Sequence, residues 1–205
     1  MKFPQKPHQE KLHISETDFP VDVFINDLNP MNVRPHWHKG IEILFVLKGK
    51  TEMIVKDKSF EVEKGDLIIL NQDSIHGTSS LSDNTEILVI QFMSNLIEHY
   101  SNMFESKYII PFLKYNTQEY VYYSLEEGED IYDIIFRIYD EYKKKETAYE
   151  LYIKGSILQL ISSIMRNDIL EIEKNNLPTF IFISEIGKSF RYDCWSRRTP
   201  ILRNN

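Results

Sequence analysis

The strongest constraint on the fold is a change of hydrophobic period near the middle of the chain. In the first half, short runs rich in β-branched and aromatic residues are separated by turn sequences such as those around Gly49 and Gly65. Short strands with such frequent turns are typical of a β-sandwich or a β-barrel and argue against βαβ units. The predicted strands are Val21–Asn26, Ile41–Leu47, Thr51–Lys56, Phe60–Glu63, Leu67–Leu70 and Glu86–Phe92.

Two segments of the second half show the spacing of amphipathic helices. Apolar residues recur three and four positions apart from Ile131 to Tyr142 and again from Tyr149 to Ile164. The first helix has acidic residues at its start and lysines at its end, the order that the helix dipole favours. Residues 95–125 are predicted to be a mixed helix and loop connection. The chain is therefore expected to be mainly β, with two consecutive helices after the strands.

Composition narrows the class of protein. The chain has 205 residues, of which 42% are hydrophobic and 27% charged, so a folded core is expected. The chain has 31 acidic and 24 basic residues, and this net negative charge argues against a surface that binds duplex DNA. The single cysteine, Cys194, excludes an internal disulfide and fits a reducing compartment. No apolar run approaches the ~20 residues of a membrane span, and no signal peptide is recognisable. A cytoplasmic protein without membrane contact is expected.

Three histidines and one glutamate form the candidate site. His36, His38 and Glu42 have the same parity, so on one unbroken strand their side chains would point to the same face. Two imidazoles and one carboxylate are the ligand set of a facial metal triad, which His76 could complete from another strand. The alternative is that these four side chains line a barrel and bind an organic ligand or buried water. Both interpretations stay open on sequence grounds.

The surroundings of these residues resemble the two motifs of the cupin family. His36, His38, Glu42 and Gly49 match the first motif, and Gly65 and His76 match the second. Pro30, Asn71 and Asp73 depart from it, since they stand where the family has a glycine, a proline and a glycine. The resemblance implies a cupin-type β-barrel, or double-stranded β-helix, followed here by two amphipathic helices.

The segments RPHWHKGIEILFVLKGKTEMIV and KGDLIILNQDSIHG are similar to the ligand-sensing half of bacterial AraC-type transcription regulators. In that family a cupin barrel is followed by two dimerising helices and a pair of helix-turn-helix units. The resemblance implies an N-terminal arm at 1–18, a barrel at 19–94, and a connecting segment with a helical dimerisation region at 95–167. It also implies a homodimer through residues 129–165 and a small polar effector, of which a sugar is one example.

Residues 168–205 show no hydrophobic period and predict an irregular tail. A segment of this length cannot hold two helix-turn-helix units. We therefore expect that the chain lacks the DNA-binding domain of the family and does not recognise a specific DNA sequence by itself. A truncated or frame-shifted regulator and a genuine short cupin protein are the two explanations of such a tail.

Two functions follow from these observations. The first is a non-enzymatic sensing and dimerisation module, which needs no cofactor and transmits effector binding to a dimer. The second is a metal-dependent cupin enzyme, an oxygenase or isomerase, in which His36, His38, Glu42 and His76 hold Zn, Ni, Mn or Fe. The two helices after the barrel favour the sensor, because an enzyme barrel has no chemical need for them.

Overall fold

A computed structural model describes residues 6–12, 14, 19–28, 32–82, 84–98 and 120–166 of the chain. The strands within these residues are β1 (His8–Gln9), β2 (Val21–Asp27), β3 (Val33–Trp37), β4 (Ile41–Lys48), β5 (Lys50–Val55), β6 (Lys58–Glu63), β7 (Asp66–Leu70), β8 (His76–Ser80), β9 (Glu86–Phe92) and β10 (Tyr120–Ser124). The helices are α1 (Asn95–Glu98), α2 (Asp130–Lys144) and α3 (Tyr149–Arg166). The expected tail at 168–205 lies outside the described residues.

The strands form two five-stranded sheets, in the orders β1-β3-β8-β5-β6 and β10-β7-β4-β9-β2. The pairings are antiparallel except for the short parallel pairing of β1 with β3. Neighbouring strands such as β4 and β9 are distant in sequence, which is the arrangement of a cupin barrel. The predicted fold class, a mainly β cupin barrel followed by two amphipathic helices, is confirmed.

Strand β4 is buried on both faces, which explains its nearly continuous apolar sequence. Leu44 and Val46 lie in the cluster that fills the barrel. Phe45, of opposite parity, makes edge-on ring contacts with Tyr132 and Phe136 of α2, at centroid distances of 5.4 and 6.0 Å. The second sheet is therefore buried between the barrel interior and helix α2. The other members of the barrel cluster are Leu28, Met53, Val55, Val62, Ile68, Leu70, Ile87 and Val89.

Both predicted helices form at the predicted places. Helix α2 buries Ile131, Ile134, Ile135 and Ile138, and its end at Lys145 is a left-handed residue whose N–H donates to the carbonyl of Glu141. Helix α3 buries Ile153, Ile157, Leu160, Ile161 and Ile164. The chain divides into two compact units, residues 1–161 and 162–205, and only residues 162–166 of the second are described. Among the described residues, no helix combines the length and the apolar composition that crossing a bilayer requires.

The sequence did not predict strands β1, β3, β8 and β10. Strand β10 lies within the segment expected to be helix and loop, yet it pairs along its whole length with β7. Strand β1 lies within the expected N-terminal arm and pairs with β3, so that His8 lies opposite His36. The segments before and after the predicted barrel therefore each add one strand to a sheet of the barrel.

A turn glycine gives a test of the barrel geometry. Gly65 has a φ of +95°, and a Cβ there would lie 2.7 Å from the carbonyl oxygen of Leu125. Gly128 has the same φ, but a Cβ there meets nothing within 4 Å. We expect Gly128→Ala to cost about 1–2 kcal/mol for the backbone conformation alone. Gly65→Ala should cost at least about 1 kcal/mol more, because of the clash. Denaturant unfolding of both variants measures the difference, and equal losses would contradict the close approach.

Candidate functional site

The structure brings together all four residues of the predicted site inside the barrel. His36 lies on β3, His38 directly after it, Glu42 on β4 and His76 on β8, and each is at most 5% exposed. One ring nitrogen from each histidine lies within 4.8 Å of the corresponding nitrogens of the other two. The rings of His36 and His76 are closest, with centroids 4.2 Å apart. Three imidazoles and one carboxylate thus converge in a buried cluster.

The reason that the sequence analysis gave for this convergence was wrong. His36 and Glu42 do not share a strand, because β3 ends at Trp37 and β4 begins at Ile41. The two strands belong to different sheets, and residues 38–40 connect them. The imidazoles and the carboxylate meet because the two sheets face each other across the barrel interior. An argument from strand parity cannot detect a chain that passes from one sheet to the other within three residues.

Each histidine of the cluster directs its Nδ1 atom at a backbone carbonyl. The acceptors for His36, His38 and His76 are the carbonyl oxygens of Arg34, Gly40 and Ser74, at 2.9, 3.1 and 2.8 Å. A carbonyl oxygen only accepts, so Nδ1 carries the proton in each ring. When such a ring is neutral its Nε2 atom presents a lone pair, and when the ring is protonated Nε2 is a second donor. Hydrogen bonds of this kind orient imidazoles that bind metals.

Glu42 holds a carboxylate against two of these nitrogens. Its Oε2 lies 2.9 Å from Nε2 of His76 and 3.5 Å from Nε2 of His38, and its Oε1 accepts a hydrogen bond from Nε2 of Gln91. Burial alone would raise the pKa of the Glu42 carboxyl, but the contacts with His38 and His76 outweigh burial and hold this pKa well below its usual value. An ionised carboxylate at this depth needs a positive partner.

Glu10 supplies a second carboxylate from the N-terminal segment. Its Oε2 lies 3.0 Å from Nε2 of His36, and its backbone N–H donates to the carbonyl of Trp37. The hydrogen bond with His36 lowers the pKa of Glu10. Burial would lower the pKa of His36, but the hydrogen bonds with Glu10 and with the carbonyl of Arg34 raise it above its ordinary value. The sequence analysis missed Glu10, because a polar terminal segment shows no period that would place it on a strand.

His36, Glu42 and His76 of the cluster form one side of a cavity of about 130 Å³, whereas His38 does not line it. Its polar lining residues are Glu10, Asn26, His36, Glu42, His76, Thr78 and Gln91, and its apolar ones are Phe24, Leu28, Val33, Leu44, Ile87 and Val89. The hydroxyl of Thr78 is buried and makes no hydrogen bond to any part of the chain that the structure describes. A cavity with polar groups on one side and apolar groups on the other is suited to a small molecule with the same polarity.

The donor set also fits a divalent cation. The buried Nε2 atoms of His38 and His76 make no aligned hydrogen bond within the described residues, although the Glu42 carboxylate lies close to both. Two lone pairs facing a carboxylate are unfavourable unless a proton or a cation lies among them. Donors about 2.0–2.2 Å from one ion lie roughly 3 Å from their neighbours. Oε2 of Glu42 lies 2.9 and 3.5 Å from Nε2 of His76 and His38, close to that spacing, and the ring nitrogens of the three histidines all lie within 4.8 Å of one another.

Comparison with known proteins decides the family. The family model of the AraC-like ligand binding domain matches residues 20–161, which include strands β2 to β10, helix α2 and most of α3. The chain belongs to this family. No curated protein matches the AraC-like chain significantly in sequence. Its family is one of ligand-sensing regulatory domains, so the chain carries a domain of the kind that binds a small-molecule effector.

One solved structure shows the same fold, and others resemble the chain less closely. An apo variant of ToxT from Vibrio cholerae superposes with a TM-score of 0.54 and 15% identity, over 85% of this chain and 66% of that chain. A second ToxT structure gives 0.49 and 13%, over 86% and 67%. The DMSP lyase DddQ from Ruegeria pomeroyi matches with a TM-score of 0.34 and 18% identity, over 37% and 39%. The AraC-like chain spans about two thirds of the length of ToxT.

The contact between Glu10 and His36 can be tested by titration. We expect the His36 imidazole to titrate at a lower pH in a Glu10→Gln variant, because the amide keeps the shape of the carboxylate without its charge. Since the pKa of His36 is raised in the folded state, protonated His36 stabilises the fold below about pH 6.5. This contribution is lost as the pH rises through the raised pKa.

The titration is measured from the imidazole C–H signals by NMR, in the presence of a chelator. Glu127→Gln is the control, since Glu127 is exposed and does not line the cavity. A titration of His36 that is the same in the wild type and in Glu10→Gln would show that Glu10 does not set its pKa.

Proposed function

We propose that this chain is the ligand-sensing domain of an AraC-type transcription regulator and that its effector binds in the barrel cavity. The observation that carries this proposal is the cavity with buried His and Glu side chains on one side and an apolar wall on the other. In this assignment His36, Glu42 and His76 bind the polar part of the effector, and His38, which was predicted with them but does not line the cavity, supports Glu42 from 3.5 Å. The match of the AraC-like family to residues 20–161 supports the regulatory role.

The cavity limits the size of the effector. A cavity of about 150 Å³ in another protein holds benzene, which has six non-hydrogen atoms. The cavity here, about 130 Å³, therefore suits a compact polar molecule of similar size. A sugar is larger and would require side chains of the lining to move. Glu10 is the lining residue best placed to do so, because its side chain is 46% exposed.

A divalent cation is the second component of the proposal. His36, His38 and His76 would hold it through Nε2, with Glu42 beside them, and Zn, Ni, Mn or Fe suits such donors. A bound cation supplies a Lewis acid to which a polar group of the effector can bind. The same donor set is the observation that favours the alternative function, a metal-dependent cupin oxygenase or isomerase. Metal analysis together with turnover assays on candidate substrates separates the alternative from the sensor.

The unpaired hydroxyl in the cavity gives a specific test of effector binding. A panel of small sugars, polyols and carboxylates is screened by thermal shift, and a ligand at 100 times its Kd stabilises the fold by about 2.7 kcal/mol. We expect Thr78→Val and Glu42→Gln to weaken the binding of any ligand found by about tenfold or more, since each removes a polar contact. Wild-type affinity in both variants would place the effector elsewhere.

Two controls separate a loss of binding from a loss of fold. Thr51 is a buried threonine whose hydroxyl donates to the carbonyl of Ser79 at 2.9 Å. Thr51→Val should lower the free energy of unfolding by about 1 kcal/mol and leave binding unchanged, whereas Thr78→Val should not destabilise the fold. Glu61→Gln removes an exposed carboxylate outside the cavity and should change neither quantity.

The homodimer expected through residues 129–165 remains part of the proposal. The apolar stripe of α3 cannot be its surface, because Ile157 and Ile161 are already buried within the single chain. The exposed side of α3 carries Leu151 and Tyr152, whose side chains are 73% and 47% exposed. Leu151 and Tyr152 are the most exposed large apolar residues of the described part of α3, and a contact with a second copy would remove them from water. We propose this side of α3 as the contact in a two-fold dimer.

We expect the wild type to sediment as a dimer and a Leu151→Glu/Tyr152→Glu variant to sediment as a monomer with an unchanged fold, because a charged surface cannot pack against its copy. Leu81→Glu is the matched control, since Leu81 is 48% exposed and lies outside the helices. A wild type that is monomeric at tens of micromolar (~10,000-fold above the nanomolar Kd of a stable contact) would rule out this surface.

A further inference from the structure

The N-terminal segment of residues 6–12, here called the arm, is attached to the barrel beside the cluster. Strand β1 pairs with β3, Nδ1 of His8 donates to the carbonyl of Pro35, and the N–H of Glu10 donates to the carbonyl of Trp37. Leu12 packs close to Gly40, since a Cβ on Gly40 would lie only 2.6 Å from Cδ1 of Leu12. The arm therefore has a defined place on the barrel.

The carboxylates of Glu42 and Glu10 together contact all three histidines of the cluster. Glu42 lies within 3.5 Å of Nε2 of His38 and of His76. Nε2 of His36 has instead the carboxylate of Glu10, at 3.0 Å. The barrel itself thus supplies a carboxylate to two of the nitrogens, and the arm supplies one to the third.

The charges of this set match those of a divalent cation. Three neutral imidazoles and two ionised carboxylates carry a net charge of minus two, which one divalent cation neutralises. An uncompensated charge of this size is costly in a buried site. Without Glu10 the barrel residues would leave a bound cation with one positive charge in excess.

We propose that Glu10 is a further ligand of a divalent cation held by His36, His38, His76 and Glu42, so that cation binding and docking of the arm stabilise each other. The inference rests on the cation site proposed above. Cation binding and docking of the arm then share one coupling free energy. The docked arm must therefore raise the affinity for the cation by the same factor by which the bound cation raises the equilibrium constant for docking.

The test uses the full chain with Zn²⁺ and Co²⁺ as probes. Affinity for Zn²⁺ is measured by competition with a chelating dye, and docking of the arm by hydrogen exchange of the amides of residues 8–12. In the wild type we expect Zn²⁺ to slow exchange in the arm. In Glu10→Gln we expect Zn²⁺ to bind about 10–100-fold more weakly and to leave exchange in the arm unchanged. The absorption spectrum of bound Co²⁺ should also differ between the two proteins, since a ligand is replaced.

Lys11→Gln is the matched control, because it changes the charge of the neighbouring exposed residue of the arm. This variant should keep the wild-type affinity, Co²⁺ spectrum and protection. Equal Zn²⁺ affinity and Co²⁺ spectra in the wild type and Glu10→Gln would overturn the role of Glu10 and leave the cation site intact. A wild type that binds neither metal would overturn the cation site as well, whereas effector sensing is judged separately by the ligand screen.

Discussion

The structure depends on one buried charge, the carboxylate of Glu42. An unpaired carboxylate in a protein interior costs several kcal/mol, so its partners must be fixed in place. They come from both sheets, since His76 lies on β8 of one sheet and Gln91 on β9 of the other. The register of the two sheets across the barrel is therefore tied to this site. A shift of one residue in β4 would turn Glu42 away from the cluster and Ile43 into it.

The sequence was sufficient for the fold class because each predicted element buries an apolar face that matches its period. Strand β4 is nearly continuously apolar and is buried on both faces, and helix α2 is amphipathic and buries its one apolar stripe. The four cluster residues were also found, by their resemblance to a motif. Their assignment to one unbroken strand was wrong, because His38 follows β3 whereas Glu42 lies on β4. The sequence motif identifies residues that meet when two sheets face each other, whereas the hydrophobic period describes only one strand or helix at a time.

The features that the sequence did not predict all depend on partners far along the chain. Strand β10 gains its place from pairing with β7, whose residues lie more than 45 positions earlier, and its tyrosine-rich sequence says nothing about that partner. Glu10 is one of several charged residues near the N-terminus, and only the pairing of β1 with β3 brings it to His36. For α3 the period predicted a buried stripe but could not say whether Ile157 and Ile161 would be covered by this chain or by a second copy.

The arm connects the chemistry of the cavity to the surface of the barrel. Strand β1 is the outermost strand of its sheet, so it covers the hydrogen-bonding edge of β3. Exposed edges readily pair with other chains, and docking of the arm removes this edge from solvent. The same segment places Glu10 against His36 in the cavity lining. Through the contact between Glu10 and His36, the segment that covers this sheet edge is therefore also part of the cavity lining.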